Sequence, residues 1–303
     1  MTELEYLDRV YAADGGQYFD IMSAQAYGLG QSPDKHFYLF VRRPDNWSWT
    51  RPIDTSIDVS RLALLHEVML LHGDSQKAVW VSEFGYTSAP DTIPADRRFT
   101  WGRPVTEDQK GSYLVGQLLR ARREWPWVGV MNVWFLHWGG SPPDPADPTA
   151  YFAISDMNFH PLPAYQQLQD YLAQPTTAGV GAHQWSYPAV TPVSGGVWNV
   201  RFEGTTLALA GSGHWQVRID GGAALSIAGV GQDQPVRVGG ELGSGVHIAQ
   251  VQSSTAAPTV FIVGHTPPLP WIWTAAPALL IVLLTLTGGV LGQALAQRVA
   301  LKD

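Results

Sequence analysis

The segment AVWVSEFGY, residues 78–86, is almost continuously apolar until it reaches Ser82 and Glu83. Its β-branched and aromatic residues predict a buried strand with Glu83 at its end. Two more segments have the same character, YFDIMSAQAYG at residues 18–28 and WVGVMNVWFLHW at residues 127–138. We therefore expect three buried strands in the first part of the chain.

Helical patterns stand between and after these strands. Residues 60–74, SRLALLHEVMLLHGD, carry apolar side chains at helical spacing and end at a glycine. Thr106, followed by two acidic residues, is typical of a helix start. Further helices are expected at residues 3–13 and 162–172. Because apolar strands that alternate with helices form parallel sheets, the sequence predicts an α/β domain over residues 1–175.

In such folds, the chemistry lies at the carboxyl ends of the strands. The residues at those ends are polar or aromatic, as a carbohydrate cleft requires: Gln25, Tyr27, Glu83, Trp134, His137 and Trp138.

The order of these segments resembles that of the clan A (β/α)8 glycoside hydrolases, nearest to the cellulase-like and xylosidase-like branches. Residues 80–85, WVSEFG, match the strand-seven motif W-x-[ST]-E-[FY]-G of that clan. Residues 125–138 resemble its eighth strand, residues 151–172 its closing segment, and residues 19–28 its sixth strand. The resemblance implies that residues 1–175 form a partial TIM barrel containing strands six to eight.

The resemblance also implies roles for individual residues. Glu83 corresponds to the catalytic nucleophile of a retaining glycosidase, and Tyr27 to the tyrosine that hydrogen-bonds it. Trp134 corresponds to the tryptophan that floors the sugar subsite. From their position at the end of the same strand, and not from the resemblance, we also expect His137 and Trp138 near the substrate. Gln25 stands where the family often has histidine. The alternative for Glu83 is a strand-end carboxylate paired with a nearby arginine.

The second carboxylate of the reaction is not found in this sequence. The family carries its acid/base in an Asn-Glu pair at the end of strand four, and no such pair occurs here. A retaining glycosidase needs both carboxyl groups. The resemblance therefore implies a C-terminal fragment of such an enzyme, inactive by itself. The alternative is a non-catalytic remnant that holds glycan without cleaving it.

Residues 176–266 have a different sequence pattern, in which short strand-like segments are separated by glycine-rich turns at a spacing near ten residues. This pattern predicts an all-β sandwich. Two similar stretches, WNVRFEG at residues 198–204 and WQVRIDG at residues 215–221, are interpreted as adjacent strands. Trp185, Trp198 and Trp215 are either a sugar-binding platform or core residues, since strand aromatics are normally buried.

The end of the chain predicts a membrane anchor. No Asp, Glu, Lys or Arg occurs from Leu242 to Gln297, and Trp271–Ala296 is long enough to cross a bilayer. We expect a transmembrane helix over residues 270–296 and a cytoplasmic tail over residues 297–303. Because Arg298 and Lys302 follow the span, the positive-inside rule places the bulk of the chain outside the cell membrane. No secretion signal precedes it at the N-terminus.

Composition excludes several classes of function. The 303-residue chain has a net charge of −7 and no basic cluster, which argues against nucleic acid as a partner. It has no cysteine, so disulfides and thiolate metal sites are excluded. Its nine histidines show no metal-ligand spacing. We expect no metal or cofactor, and as partners a carbohydrate substrate and the lipid bilayer.

Overall fold

The computed structural model of this chain describes residues 3–34 and 59–266. The helices are α1 Glu3–Ala12, α2 Arg61–Leu71, α3 Ala95–Arg98, α4 Glu107–Glu124 and α5 Pro163–Leu172, with 3-10 turns at Gly15–Tyr18 and Pro148–Phe152. The strands are β1 Ile21–Gln25, β2 Ala78–Phe84, β3 Val128–Val133, β4 Gly181–Gln184, β5 Val190–Ser194, β6 Val197–Glu203, β7 Thr206–Gly211, β8 His214–Ile219, β9 Leu225–Ala228, β10 Gly231–Arg237, β11 Val246–Ser253 and β12 Val260–Gly264.

The first three strands form one parallel sheet in the order β1-β2-β3. Helices cover one face of it, where Val79 and Val81 have no exposed surface. On the opposite face Ser82 is exposed, and 44% of Trp80 is exposed. This arrangement confirms the mixed α/β fold, while membership of an eight-stranded barrel stays a prediction.

The helix at Thr106 begins as its sequence predicts. The Thr106 hydroxyl accepts a hydrogen bond from the Gln109 amide at 3.1 Å, and the Gln109 side chain accepts one from the Thr106 amide at 3.0 Å. This capping box satisfies two amides that a helix end otherwise leaves unpaired. Helix α4 is therefore anchored at its first turn, which follows the long loop after β2.

The later strands form two antiparallel sheets, in the orders β10-β7-β12-β4 and β5-β6-β11-β8-β9. They share one apolar core, to which Phe202 and Val251 contribute from the larger sheet and Phe261 from the smaller one. The two WxVR stretches lie on β6 and β8, which both pair with β11 and not with each other. The interpretation as adjacent strands is wrong, because the chain makes two further strands before β11 inserts between them.

The three tryptophans of this β region do not form a flat platform. Trp215 is 1% exposed, and its indole donates to the Ala256 carbonyl at 2.7 Å. Trp185 and Trp198 meet at 76° between their ring planes, with centroids 6.0 Å apart. Since a sugar ring stacks on one flat surface, this geometry favours core packing.

No helix within residues 3–34 and 59–266 is long and apolar enough to span a membrane. The span predicted at residues 270–296 and the tail at residues 297–303 lie outside the described residues.

A buried carboxylate joins α4 to the β region. Glu203 on β6 is 6% exposed and accepts hydrogen bonds from Arg122, at 2.9 Å from its Nε, and from Arg123, at 2.6 Å from its Nε. The Val180 amide donates to the Arg122 carbonyl at 2.9 Å. Burial acts to raise the pKa of Glu203, but the two arginines outweigh it and hold that pKa below its usual value.

We expect Glu203→Gln to lower the free energy of unfolding by about 1–3 kcal/mol at pH 7, because charge-assisted hydrogen bonds are lost. The folded-state pKa of Glu203 is lowered, so its contribution is present above the ordinary glutamate pKa of 4.5 and is lost as the pH falls through the folded value. Urea denaturation should therefore show a difference between variant and parent that shrinks on acidification.

The matched control is Arg237→Gln, which removes an exposed ion pair with Glu241. Exposed pairs contribute less than about 1 kcal/mol, so this variant should unfold almost like the parent. Equal stability of Glu203→Gln and parent at pH 7 would contradict a stabilising role for the hydrogen bonds of Glu203 with Arg122 and Arg123.

Candidate active site

The site is built around an irregularity in the central strand. Ala24 of β1 pairs with Val81, but the next residue, Gln25, pairs with Glu83. On the other side, Val81 and Phe84 pair with β3 residues that are only two apart. Strand β2 therefore has one more residue than either neighbour between Val81 and Phe84. Such a bulge re-aims the side chains that follow it.

The bulge decides where Glu83 points. In a regular strand, residues of one parity share a face, so Glu83 would join Val79 and Val81 under the helices. Instead Phe84 takes that buried position, with no exposed surface, and Glu83 stays partly exposed. It stands beside Gln25, which is exposed on the opposite face. The extra residue thus frees the carboxylate from the core.

Two side chains donate hydrogen bonds to strand carbonyls next to the bulge. The Ser82 hydroxyl donates to the Ala24 carbonyl at 3.2 Å, and the Asn132 amide donates to the Val81 carbonyl at 3.1 Å. Because backbone carbonyls in an irregular ladder need alternative partners, these bonds stabilise the local geometry.

Three residues predicted for the site are brought together. The Tyr27 hydroxyl donates to Glu83 Oε2 at 2.6 Å, and the Gln25 amide donates to the same oxygen at 3.0 Å. Burial, followed by the hydrogen bond and charge of Glu83, raises the pKa of Tyr27 well above its usual range. Tyr27 therefore remains a protonated donor at neutral pH.

Both partners of Glu83 are neutral. Among the ion pairs within residues 3–34 and 59–266, none includes Glu83. The arginine-paired carboxylate considered as an alternative is therefore not seen in this part of the chain. The two donors to Glu83 therefore orient its carboxylate without placing a cation beside it.

Aromatic rings surround this group. Tyr27 packs edge-to-face on Phe152, with centroids 5.6 Å apart, and lies 5.8 Å from Trp101. Phe152 is 3% exposed and also packs edge-to-face on Trp101 at 6.1 Å. Tyr27, Trp101 and Phe152 thus form an aromatic cluster around the donor to Glu83.

The three site residues predicted after β3 do not all lie together: Trp134 and Trp138 both pack on Phe135, whereas His137 packs on Phe159. Trp134 follows the strand directly, and its amide donates to the Phe84 carbonyl at 2.8 Å, one position beyond the pairing of Val133 with Phe84. The peptide bond between Trp134 and Phe135 is cis. Phe135 lies between Trp134 and Trp138, with centroids 5.1 and 5.9 Å away.

His137 belongs to a separate turn. Its ring stacks on Phe159 with centroids 3.7 Å apart, and its Nδ1 lies 3.0 Å from the Asp156 carbonyl. Phe159 is 66% exposed. The structure therefore gives His137 the turn at residues 156–160 as its neighbour and shows no contact between it and Glu83.

A buried cation fixes the segment that carries Phe152. Lys110 on α4 has no exposed surface, and its ammonium donates to the carbonyls of Tyr151, at 3.1 Å, and Ala153, at 2.9 Å. It also pairs with Glu107 at 2.8 Å. Burial lowers the pKa of Lys110, although Glu107 opposes that effect. Lys110 therefore ties helix α4 to the two peptide groups beside Phe152.

Replacement of Lys110 by methionine should lower the free energy of unfolding by about 2–3 kcal/mol, because buried carbonyls lose their donor. The resonance of the Trp101 indole N–H should move as well, since Phe152 loses its support. Urea denaturation and a nitrogen–proton spectrum measure the two effects.

The control is Lys77→Met, which removes a cation that is 22% exposed and pairs with Asp74. It lies away from Phe152, so the Trp101 resonance should stay in place. A Lys110→Met chain with an unmoved Trp101 resonance would contradict the positioning of Phe152 by Lys110.

Trp101 and Phe152 were not among the residues predicted for the site. Trp101 lies in the long loop after β2, and Phe152 lies in a 3-10 turn within a segment assigned only to chain closure. Two signals could have indicated Trp101: a tryptophan in a polar loop, and the glycine that follows it.

Within the described residues, no group of three His, Cys, Asp or Glu side chains is suited to hold a metal ion.

No protein-family model matches this chain, and no curated protein does. Among solved structures, the chain is similar to a family 39 glycoside hydrolase from Bacteroides cellulosilyticus WH2, at 15% identity and a TM-score of 0.40, covering 84% of this chain and 46% of that one. It is also similar to a monomeric β-xylosidase from Caulobacter crescentus CB15, at 10% identity and a TM-score of 0.34, covering 84% and 60%.

A third similar structure is a β-glucuronidase from Bifidobacterium dentium complexed with coumarin-3-O-glucuronide, at 14% identity and a TM-score of 0.33, covering 54% of this chain and 22% of that one. These structure neighbours are glycoside hydrolases. The chain spans 22% to 60% of their lengths.

Proposed function

We propose that Glu83 is the nucleophile of a retaining glycosidase that hydrolyses O-glycosyl bonds of an oligosaccharide or polysaccharide. The observation that carries this proposal is the pair of neutral donors, Tyr27 and Gln25, on one oxygen of a partly exposed carboxylate. The aromatic cluster beside it suits the apolar faces of sugar rings.

The geometry suggests which oxygen attacks. Both hydrogen bonds that Glu83 accepts from described residues are on Oε2, so Oε1 is the oxygen that would bond the anomeric carbon. As that bond forms, the bond to the leaving oxygen breaks and a glycosyl ester remains. Tyr27 and Gln25 would hold the carboxylate in orientation during attack.

The leaving group must also be protonated, and no residue of this chain is assigned to that step. A retaining enzyme needs a second carboxyl group about 5–5.5 Å from the nucleophile. The sequence contains no Asn-Glu pair, the motif that carries this group in the family it resembles, and this observation favours the second candidate function, glycan binding without cleavage.

An activated substrate separates the two candidates. A 2,4-dinitrophenyl 2-deoxy-2-fluoro-β-glycoside releases dinitrophenolate without protonation, so the nucleophile can react even where the acid is missing. We expect xylosyl, glucosyl or glucuronosyl versions to add one sugar to the full chain, with the ester located on Glu83 by mass spectrometry of peptides.

Glu83→Gln should remove this labelling completely, because an amide does not attack the anomeric carbon. Tyr27→Phe should slow it by about tenfold, equivalent to about 1.4 kcal/mol, since one hydrogen bond to the carboxylate is lost. Binding of the sugars without labelling of Glu83 would favour the non-catalytic candidate. Absence of both would contradict any carbohydrate function of this site.

We also infer that the chain is anchored in the cell membrane, with residues 1–270 outside and the C-terminus in the cytoplasm. The apolar, uncharged span at residues 271–296 supports this inference, together with Arg298 and Lys302 after it.

The absence of cysteine provides a direct test, because single cysteines can be introduced without background. In intact cells, a membrane-impermeant maleimide should modify Ser212→Cys, in an exposed turn between β7 and β8. Lys302→Cys should react only after the cells are lysed. Labelling of both positions in intact cells, or of neither, would contradict the proposed orientation.

A further inference from the structure

Trp101 is a large side chain that stays partly exposed beside the carboxylate site. It is 37% exposed, although its ring lies 5.8 Å from Tyr27, the donor to Glu83. One aromatic side chain thus separates it from the carboxylate. Exposing a large indole forgoes the stabilisation that its burial would give.

The indole is held in place from two sides. Its Nε1 donates to the Thr149 hydroxyl at 3.3 Å, and Phe152 packs edge-to-face against it at an interplanar angle of 88°. Phe152 is itself buried and supported by the Lys110 contacts. The ring therefore presents a fixed surface, which reduces the entropic cost of binding a ligand.

The loop that carries Trp101 is also locked to the segment after β1. Gly102 has φ of +81° and Gly30 has φ of +80°, a region that favours glycine. A side chain at Gly102 would collide with the Leu29 backbone, and one at Gly30 would collide with the Arg103 backbone. These two close approaches hold Trp101 beside the segment that carries Tyr27.

We propose that Trp101 forms an aromatic wall of the sugar subsite next to Glu83 and stacks on the apolar face of a pyranose ring. A rigid, partly exposed indole beside a carboxylate with neutral donors matches a ligand that combines C–H faces with hydroxyl groups. The proposal rests on the proposed glycosidase function and names a residue that determines its substrate class.

The test uses the labelling of Glu83 by the 2,4-dinitrophenyl 2-fluoroxyloside, measured over a range of concentrations. Trp101→Ala should raise the half-saturating concentration at least tenfold and leave the maximal labelling rate within threefold of the parent. This split is expected because a stacking wall binds substrate and transition state alike. Trp101→Phe, which keeps a flat ring, should recover most of the affinity.

Phe99→Ala is the matched control. Phe99 lies two residues away, is 47% exposed, and has the Arg98 guanidinium 5.2 Å from its ring centroid. Its removal should leave both labelling parameters unchanged.

Three other outcomes would overturn the proposal. A lower maximal rate with an unchanged half-saturating concentration would mean that Trp101 only positions Tyr27. Unchanged labelling of Trp101→Ala would exclude any role of the indole while leaving the proposed function intact. If the parent chain were not labelled on Glu83, the proposed function would fail, and the stacking role with it.

Discussion

The extra residue in β2 is the constraint on which the rest of the site depends. Strand β2 is the centre of the parallel sheet, and its register with both neighbours shifts between Val81 and Phe84. Because of that shift, Phe84 fills the helix-covered core and Glu83 emerges beside Gln25. A strand without the bulge would bury the carboxylate against apolar side chains, where an unpaired charge is strongly disfavoured.

The carboxylate is then organised from outside the sheet. Tyr27 comes from the segment after β1, Trp101 from the loop after β2, and Phe152 from the segment after β3. Lys110 fixes the last of these through two backbone carbonyls, although it lies on a helix and none of its hydrogen bonds goes to a predicted site residue. Loops from three strands thus converge on one group through aromatic contacts and one buried cation, which is how a rigid site forms on a variable scaffold.

Local sequence was sufficient to predict the elements of this site but not their fine placement. The apolar runs and helical spacing predicted β1, β2, β3 and the main helices, and the strand ends indicated Gln25, Tyr27 and Glu83. The bulge has no such signal, because residues 78–84 read as an uninterrupted strand. Trp101 and Phe152 depend on loop paths, which are decided by contacts between distant segments. The prediction that the two WxVR strands are adjacent was wrong for the same reason, because similarity between two segments does not say which strand lies between them.

The close packing around Gly85 limits which residues of this site can be replaced during evolution. A side chain there would collide with the Trp134 carbonyl and with the Phe152 ring, whereas Glu83 is partly exposed and is held only by neutral donors. Replacement of the glutamate therefore leaves the packing intact, and replacement of the glycine does not. In a lineage released from selection for catalysis, the glutamate would be lost first, and the glycine would persist as long as the sheet folds. Sequences that keep the glycine without the glutamate would mark folded descendants that lack the proposed nucleophile.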